Sequence, residues 1–376
     1  MKKGLAYLLA MALAVGMLAG CGSQDETTAA ETATEAAATA EAGSSAEAEN
    51  TTEAESTVTD TTEAETVTVE ETAETIAPED AVARVGALSG PTSMGLVSLM
   101  KNNPDMYFQV ETAADALTAS IISGDLDIAL VPANVAAILY NRTEGGVSVI
   151  DINTLSVLYI VSADTSIQSI GDLAGRTIYL TGKGTTPDYA LQYLLSANGL
   201  STEDVTLEYR SEATEVASIL ADDPSAIGLL PQPFVTVACN QNESLQIVLD
   251  LGKEWEKAQE NSDMPCSLVT GVTIVRNEFL EEHSDVVVRF MEEHQKSAAF
   301  TNENPAEAAQ MIVDLGIVAN VQVAEQAIPY CGITYLDGQD MMLALAGYLQ
   351  VLYELNPESV GGEVPSTEFY ALGLRP

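Results

Sequence analysis

Two segments, "DIALVPANVAAI" from Asp127 and "AIGLLPQPFVTV" from Ala226, share one plan: a short apolar run, a proline, and a fresh helical pattern. A run of four or five apolar residues that halts at proline reads as a buried strand, because proline has no N–H to continue the ladder. The two prolines, Pro132 and Pro231, lie 99 residues apart. Upstream of each, a first strand ends in a glycine-containing loop, at Gly90 and at Gly182, and these glycines lie 92 apart. A chain that repeats this order at this spacing folds into two similar α/β halves rather than one continuous sheet. The repeat is structural; the sequences themselves are not tandem copies.

The pattern between these landmarks predicts the elements. In the first half, strands are expected at 82–88, 107–111 and 127–131, with helices from the Ser89–Ser93 loop through Met100, at 114–123 and at 133–140. Leu117 and Ile121 share one face of the second helix, Gly124 supplies its left-handed stop, and Asn134 is the expected N-cap of the third. The second half repeats this with strands at 177–180, 205–209 and 226–230 and helices at 188–198 and 212–220. Two β-rich runs, 156–162 and 268–275, are expected to carry the chain from one half to the other and back. Long helices at 278–300, 305–315 and 341–355 complete the first half. The expected fold class is therefore α/β, two-lobed, with mainly parallel sheets and a cleft at a hinge of two crossover strands. In such sheets ligands bind outside the carboxyl ends of the strands.

The N-terminus has a different composition. Residues 1–20 form a signal peptide: Lys2 and Lys3 precede an almost wholly apolar 5–18 run, and Leu18-Ala19-Gly20 stands before Cys21. That boundary resembles the bacterial lipobox, which implies a diacylated Cys21 at the mature N-terminus; two acyl chains are what stable anchoring requires. The alternative is a secreted protein with an incidental cysteine. From Cys21 through residue 80 the chain is an acidic linker of Ala, Thr, Ser and Glu. Residues 22–80 hold seventeen acids and no Lys or Arg. Such a segment cannot bury enough apolar surface to offset its chain entropy, so disorder is expected. As a coil it spans ~45 Å.

Residues 81–376 carry a net charge of −27, from 39 acids against 12 Lys and Arg. That surface repels phosphates and excludes nucleic-acid binding. Cys239, Cys266 and Cys331 are odd in number and unclustered, which gives no metal or redox pattern. With only His283 and His294, a zinc or Ser-His-Asp site lacks raw material. No catalytic residue, metal ligand or cofactor is expected.

Four stretches carry a family resemblance: "SGDLDIALVPANVAAILYN", "SIQSIGDLAGRTIYLTGKGTTPDYALQYLLSANGL", "AIGLLPQPFV" and "FLEEHSDVVVRFMEEHQKSAAFTNENPAEAAQMIV". They resemble solute-binding proteins of ABC importers, in the subgroup serving nitrate, sulfonate and thiamine-pyrimidine-type solutes. The resemblance covers residues 82–376 and implies a type II periplasmic-binding-protein fold, with lobe 1 at 81–160, lobe 2 at 161–268, and a return to lobe 1 at 269–376. It also implies a monomeric, extracytoplasmic, cell-membrane lipid-anchored receptor that hands a small neutral or anionic solute to a permease and its ATPase. A ligand sensor is the alternative, as is an enzyme on the same fold. Thiamine-pyrimidine synthases of this kind carry a cysteine-rich run and site histidines, which this chain lacks. Menaquinone-pathway enzymes share the fold, but the implied lipid anchor puts this chain on the other side of the membrane.

The candidate ligand residues follow from the loops. In "TGKGTTPDY", Lys183 sits between two glycines, so the G-x-x-x-x-G-K-[ST] spacing of a nucleotide loop fails. Flanking glycines also argue against the burial that a Schiff-base lysine needs. Thr185 and Thr186 in this loop, and Ser89, Thr92 and Ser93 in the other, place hydroxyls and amides at helix starts, where unpaired N–H groups favour anions or carbonyls. Asp188 and Ser89 or Thr92 have capping as their plainer role. Asn134 and Gln232, each just past a strand-ending proline, can both donate and accept. Tyr159 and Trp255 could stack on a planar solute, but core packing is the plainer role for either aromatic.

The Cys21 assignment has a direct check. A Cys21→Ser variant is expected to leave the membrane fraction on washing while the parent protein stays; equal retention of both would refute the anchor.

Overall fold

The computed structural model describes residues 76–262 and 265–375. The expected signal segment, Cys21 and the linker up to residue 75 lie outside them. Among the described residues eleven strands form two sheets. Their ranges are β1 Arg84–Leu88, β2 Tyr107–Glu111, β3 Ile128–Pro132, β4 Val147–Leu155, β5 Leu158–Ser162, β6 Thr177–Leu180, β7 Thr206–Tyr209, β8 Ile227–Pro231, β9 Gln246–Asp250, β10 Val269–Arg276 and β11 Ile333–Leu336.

The sheet orders are β2-β1-β3-β10-β4-β11 and β7-β6-β8-β5-β9. Laid side by side, the first five strands of one match the five of the other. In each sheet the strand–helix–strand trio is parallel. The fourth strand is antiparallel, and it comes from the part of the chain that has just crossed over: β10 in the first sheet, β5 in the second. The expected parallel pattern thus describes the repeated trios, and the crossover strands make both sheets mixed. The runs predicted as connectors are themselves central strands, and only Ser156 and Val157 separate β4 from β5.

The helices pack where their periodicity placed them. In Ala114–Ser123, Leu117 and Ile121 are buried, and Gly124 takes φ 80° with its N–H on the Ile121 carbonyl. The predicted 278–300 helix is two, Asn277–Glu282 and Ser284–Glu303, broken at His283. Asn134 is not an N-cap: Pro132 holds that position and Ala133–Arg142 is already helical around Asn134. Periodicity missed β4, β9, β11 and the helices Leu251–Gln259 and Val321–Ala327. β4 is buried along nearly its whole length yet carries Ser148, Asp151, Asn153 and Thr154, so no alternation shows.

One hydrophobic core runs through both sheets. Trp255 is fully buried, donates its indole N–H to the Cys266 carbonyl at 2.9 Å, and packs against Tyr193 and Tyr348 at ring-centroid distances of 4.4 and 5.5 Å. It is core, not a stacking platform. Cys239, Cys266 and Cys331 are free thiols, and burial pushes the Cys266 thiol up to about 11. At the opposite end of the first sheet Asp127 receives the bidentate fork of Arg84 at 2.6 and 2.9 Å and Arg276 at 3.3 Å, tying β1 to β10.

Gly332 enters β11 with φ 60°, and its carbonyl accepts the Leu155 N–H at 2.9 Å. A side chain there would stand on the Leu155 carbonyl. Gly332→Ala is expected to lower the unfolding free energy by about 2 kcal/mol or more, from left-handed strain plus displacement of β4. Gly175→Ala, at φ 73° with nothing within 4 Å, carries the strain alone and should lose about 1 kcal/mol. Urea denaturation of both variants separates the two contributions.

Candidate ligand-binding cleft

The loops that follow β1 and β6 and the prolines that end β3 and β8 converge on one cavity of about 150 Å³. Its wall takes Ser89, Pro91 and Thr92 from the first loop and Thr186 and Pro187 from the second. Pro132 and Pro231 close the ends of β3 and β8. Thr154, Thr270 and Gly271 supply the floor where β4 meets β10. This is the carboxyl edge of both parallel trios, where α/β sheets bind ligands. A larger hollow of about 520 Å³ lies at the other edge, where Arg84 and Arg276 are both paired with Asp127.

Of the nine candidate residues, the cavity gathers Ser89, Thr92 and Thr186. Ser93 is buried and closes its own turn, its hydroxyl donating to the Gly90 carbonyl at 3.0 Å and accepting the Gly90 N–H at 3.2 Å. Thr185 donates to the Gly182 carbonyl at 2.7 Å, closing the second turn in the same way. Gln232 uses its oxygen on the Thr236 N–H and hydroxyl, at 3.2 and 2.8 Å. Tyr159 donates to the Tyr330 carbonyl at 2.9 Å, and burial pushes its hydroxyl pKa up. Lys183 is exposed, with its ammonium 5.2 Å from the centre of the Tyr209 ring.

Asp188 organises the second loop. Its carboxylate accepts the Gly184 N–H at 2.8 Å, Gln192 Nε2 at 2.6 Å and the Tyr209 hydroxyl at 2.8 Å. Burial and this donation to Asp188 both push the Tyr209 hydroxyl pKa up. The Gly184 amide, which the sequence offered to a ligand, is therefore taken by the protein's own acid. The same holds for the amides of Ser89, bonded to the Glu111 carbonyl at 2.7 Å, and Thr185, bonded to Gly182 at 2.9 Å.

Asn134 does something the sequence did not indicate. Fully buried beside the cavity, it reaches from the first half to the second, donating to the Gly184 carbonyl at 3.3 Å and to Ser359 at 3.2 Å. Its oxygen accepts the Thr186 hydroxyl at 3.3 Å. One amide thus bolts the two loop systems together. Thr154 and Thr270 were also missed. Thr154 lies on β4, whose signal is masked by burial, and Thr270 on the run read as a connector; only the pairing of β4 with β10 brings them to the cleft.

A family model described as NMT1/THI5 like matches residues 105–308, which includes β2 through β10 and three of the four prolines of the cavity. The chain belongs to the NMT1/THI5-like family. Solved structures agree on the fold. A protein described as an ABC transporter from Parabacteroides distasonis is 24% identical, with a TM-score of 0.66 over 78% of this chain and all of that one. The periplasmic aliphatic sulphonate binding protein SsuA of Escherichia coli is 14% identical, with a TM-score of 0.60 over 76% of this chain and 92% of its own. The desulfurization enzyme DSZB is 14% identical, with a TM-score of 0.54 over 78% and 97%. No curated protein sequence matches. This NMT1/THI5-like chain has the two-lobed type II periplasmic-binding-protein fold.

Removing the Asn134 amide would leave the Gly184 and Ser359 carbonyls without its donor. Asn134→Ala is expected to cost about 1–3 kcal/mol of stability. It should also increase the radius of gyration in solution scattering, as the second half swings free. An unchanged radius with lowered stability would show that Asn134 supports local packing only.

Proposed function

We propose that this protein is an extracytoplasmic solute receptor: it closes its lobes around one small organic solute and delivers it to an ABC permease and ATPase. The observation that carries this reading is the position of the cavity, at the carboxyl edges of two matched sheets and beside the Asn134 side chain that bridges them. Similar structures named as transporter and periplasmic binding proteins support it. The lipobox-like boundary at Cys21 and the acidic linker fit a receptor held at the outer face of the cytoplasmic membrane on a long tether. In this setting the chain acts as a monomer and needs no cofactor.

The cavity wall contains no acid, base, thiol or cationic side chain. A nucleophile–base pair, the minimum for turnover by covalent or general-base chemistry, is not assembled there. That favours capture over the chemistry of the enzyme that shares the fold. It also favours an uncharged solute over an anion, since Lys183 stands outside the wall. A cavity of about 150 Å³ holds a molecule near the size of benzene in this degree of closure.

The test is to purify the protein from its native membrane, extract it, and identify any released small molecule by mass spectrometry. That solute is expected to rebind, to raise the Tm, and to be recovered unchanged after long incubation. At 100 times Kd the stabilisation is about 2.7 kcal/mol. Cells lacking the protein should fail to accumulate the solute. Conversion of the solute by purified protein would overturn the receptor reading in favour of an enzyme.

A further inference from the structure

We propose that Gly252 and Gly347 are positioning residues for lobe closure: each is a socket, empty of its own side chain, that seats one of the two crossovers. Together they fix the axis about which the lobes turn. This rests on the reading of the protein as a receptor that closes, and it places the motion in particular residues.

The first crossover is short. Leu155 still pairs in the first sheet and Leu158 already pairs in the second, so Ser156 and Val157 alone connect them. Ser156 stands at φ 51°, in the left-handed region that a serine enters only under constraint. Its N–H donates to the Leu268 carbonyl at 3.0 Å, which ties the first crossover to the second. Hinges absorb their backbone rotation in a few such residues at the ends of elements.

The constraint stands on the other side of Ser156. A Cβ on Gly252 would lie 2.5 Å from Ser156 Cβ and 2.7 Å from its Oγ. Gly252 sits in the first turn of the helix Leu251–Gln259, which follows β9. That helix is fixed to the second half by Trp255 against Tyr193 and by Gln259 Nε2, which donates to the Tyr193 hydroxyl at 2.6 Å. The Ser156 side chain therefore fills the space that a larger residue at 252 would need.

The second crossover uses the same device against the first half. A Cβ on Gly347 would lie 2.8 Å from Cys266 Cβ. Gly347 is buried in the helix Gly338–Leu355, which packs on β4 and β10. The Cys266 carbonyl meanwhile accepts the Trp255 indole N–H at 2.9 Å, so Cys266 is held by one helix from each half. In both sockets the crowding atom is a Cβ, which no χ rotation moves, so a methyl on either glycine must displace backbone. Val157 and Leu158, next to Ser156, line the cavity. Backbone displaced at the socket therefore changes the angle between the cavity walls.

Paired spin labels on the purified full chain read that angle without any solute. Lys101→Cys and Ser218→Cys carry the labels at exposed positions, one on each half, in a Cys239→Ser background; Cys266 and Cys331 are buried. Gly252→Ala and Gly347→Ala are each expected to shift the mean distance between labels. Ser156→Gly, which empties the first socket, should broaden the distribution. The double variants Gly252→Ala/Ser156→Gly and Gly347→Ala/Cys266→Gly return one Cβ to each contact from the opposite side, and should restore the parent mean and width. Gly86→Ala crowds only the side-chain ends of Leu117 and Leu126 inside the first half; it should lower the Tm and leave the distance unchanged. If a single alanine variant does not fold, its double variant decides: recovery of the parent distance supports the socket and no recovery overturns it. An unchanged distance in both alanine variants, or an equal shift in Gly86→Ala, would overturn the inference and leave the receptor reading to its own test on native membranes.

Discussion

The hydrogen bond from Thr273 to Asp151 is the constraint on which the functional half of the molecule turns. It joins β4 and β10, the strands that meet where the chain leaves the first lobe and where it returns. A buried carboxylate is costly unless it is paired and hydrogen-bonded, and here both oxygens have partners. Because the carboxylate can only accept, it orders every hydroxyl and amide between itself and the cleft. A hinge strand pair thus fixes the direction of the Thr154 hydroxyl on the cavity floor.

The lobes themselves are held by different means on the two sides of that hinge. Behind the cleft the apolar core is continuous: helix Gly338–Leu355 brings Tyr348 against Trp255, and Tyr193 packs against the same indole. At the cleft the contact is polar and small, centred on Asn134, with Tyr159 bonded to the Tyr330 carbonyl at its edge. Apolar burial is non-directional and tolerates few separations, whereas a handful of hydrogen bonds can exchange with water at little net cost. That division suits a molecule whose back stays closed and whose mouth opens.

Most of the architecture was legible in the chain. The paired strand–proline–helix segments, the stop at Gly124 and the face shared by Leu117 and Ile121 all correspond to the folded elements. The loss of β4 has a physical cause. β4 is enclosed on both sides, so its residues show no alternation, and its Asp, Asn and Thr look like loop residues until their partners on β10 and Ser284–Glu303 are seen. In the cleft, the loops were found but the residue roles were not. Ser93, Thr185 and Gln232 have the right chemistry in the right loops, and their turns consume it. Asn134 looked like a cap because it follows a proline; two of its partners, Gly184 and Thr186, lie in the other lobe.

The sequence by itself determined the two-lobed plan, the carboxyl-edge loops and the four prolines that later prove to line the cavity, because these depend on local periodicity and on backbone chemistry that each residue carries with it. Only the tertiary structure decided which hydroxyls face the cleft and in which direction each proton points. A hydroxyl is both donor and acceptor, and nothing in its neighbours along the chain chooses between the two. The choice comes from whatever the fold places on its other side: a carbonyl, an amide oxygen, or at the end of the series the carboxylate of Asp151.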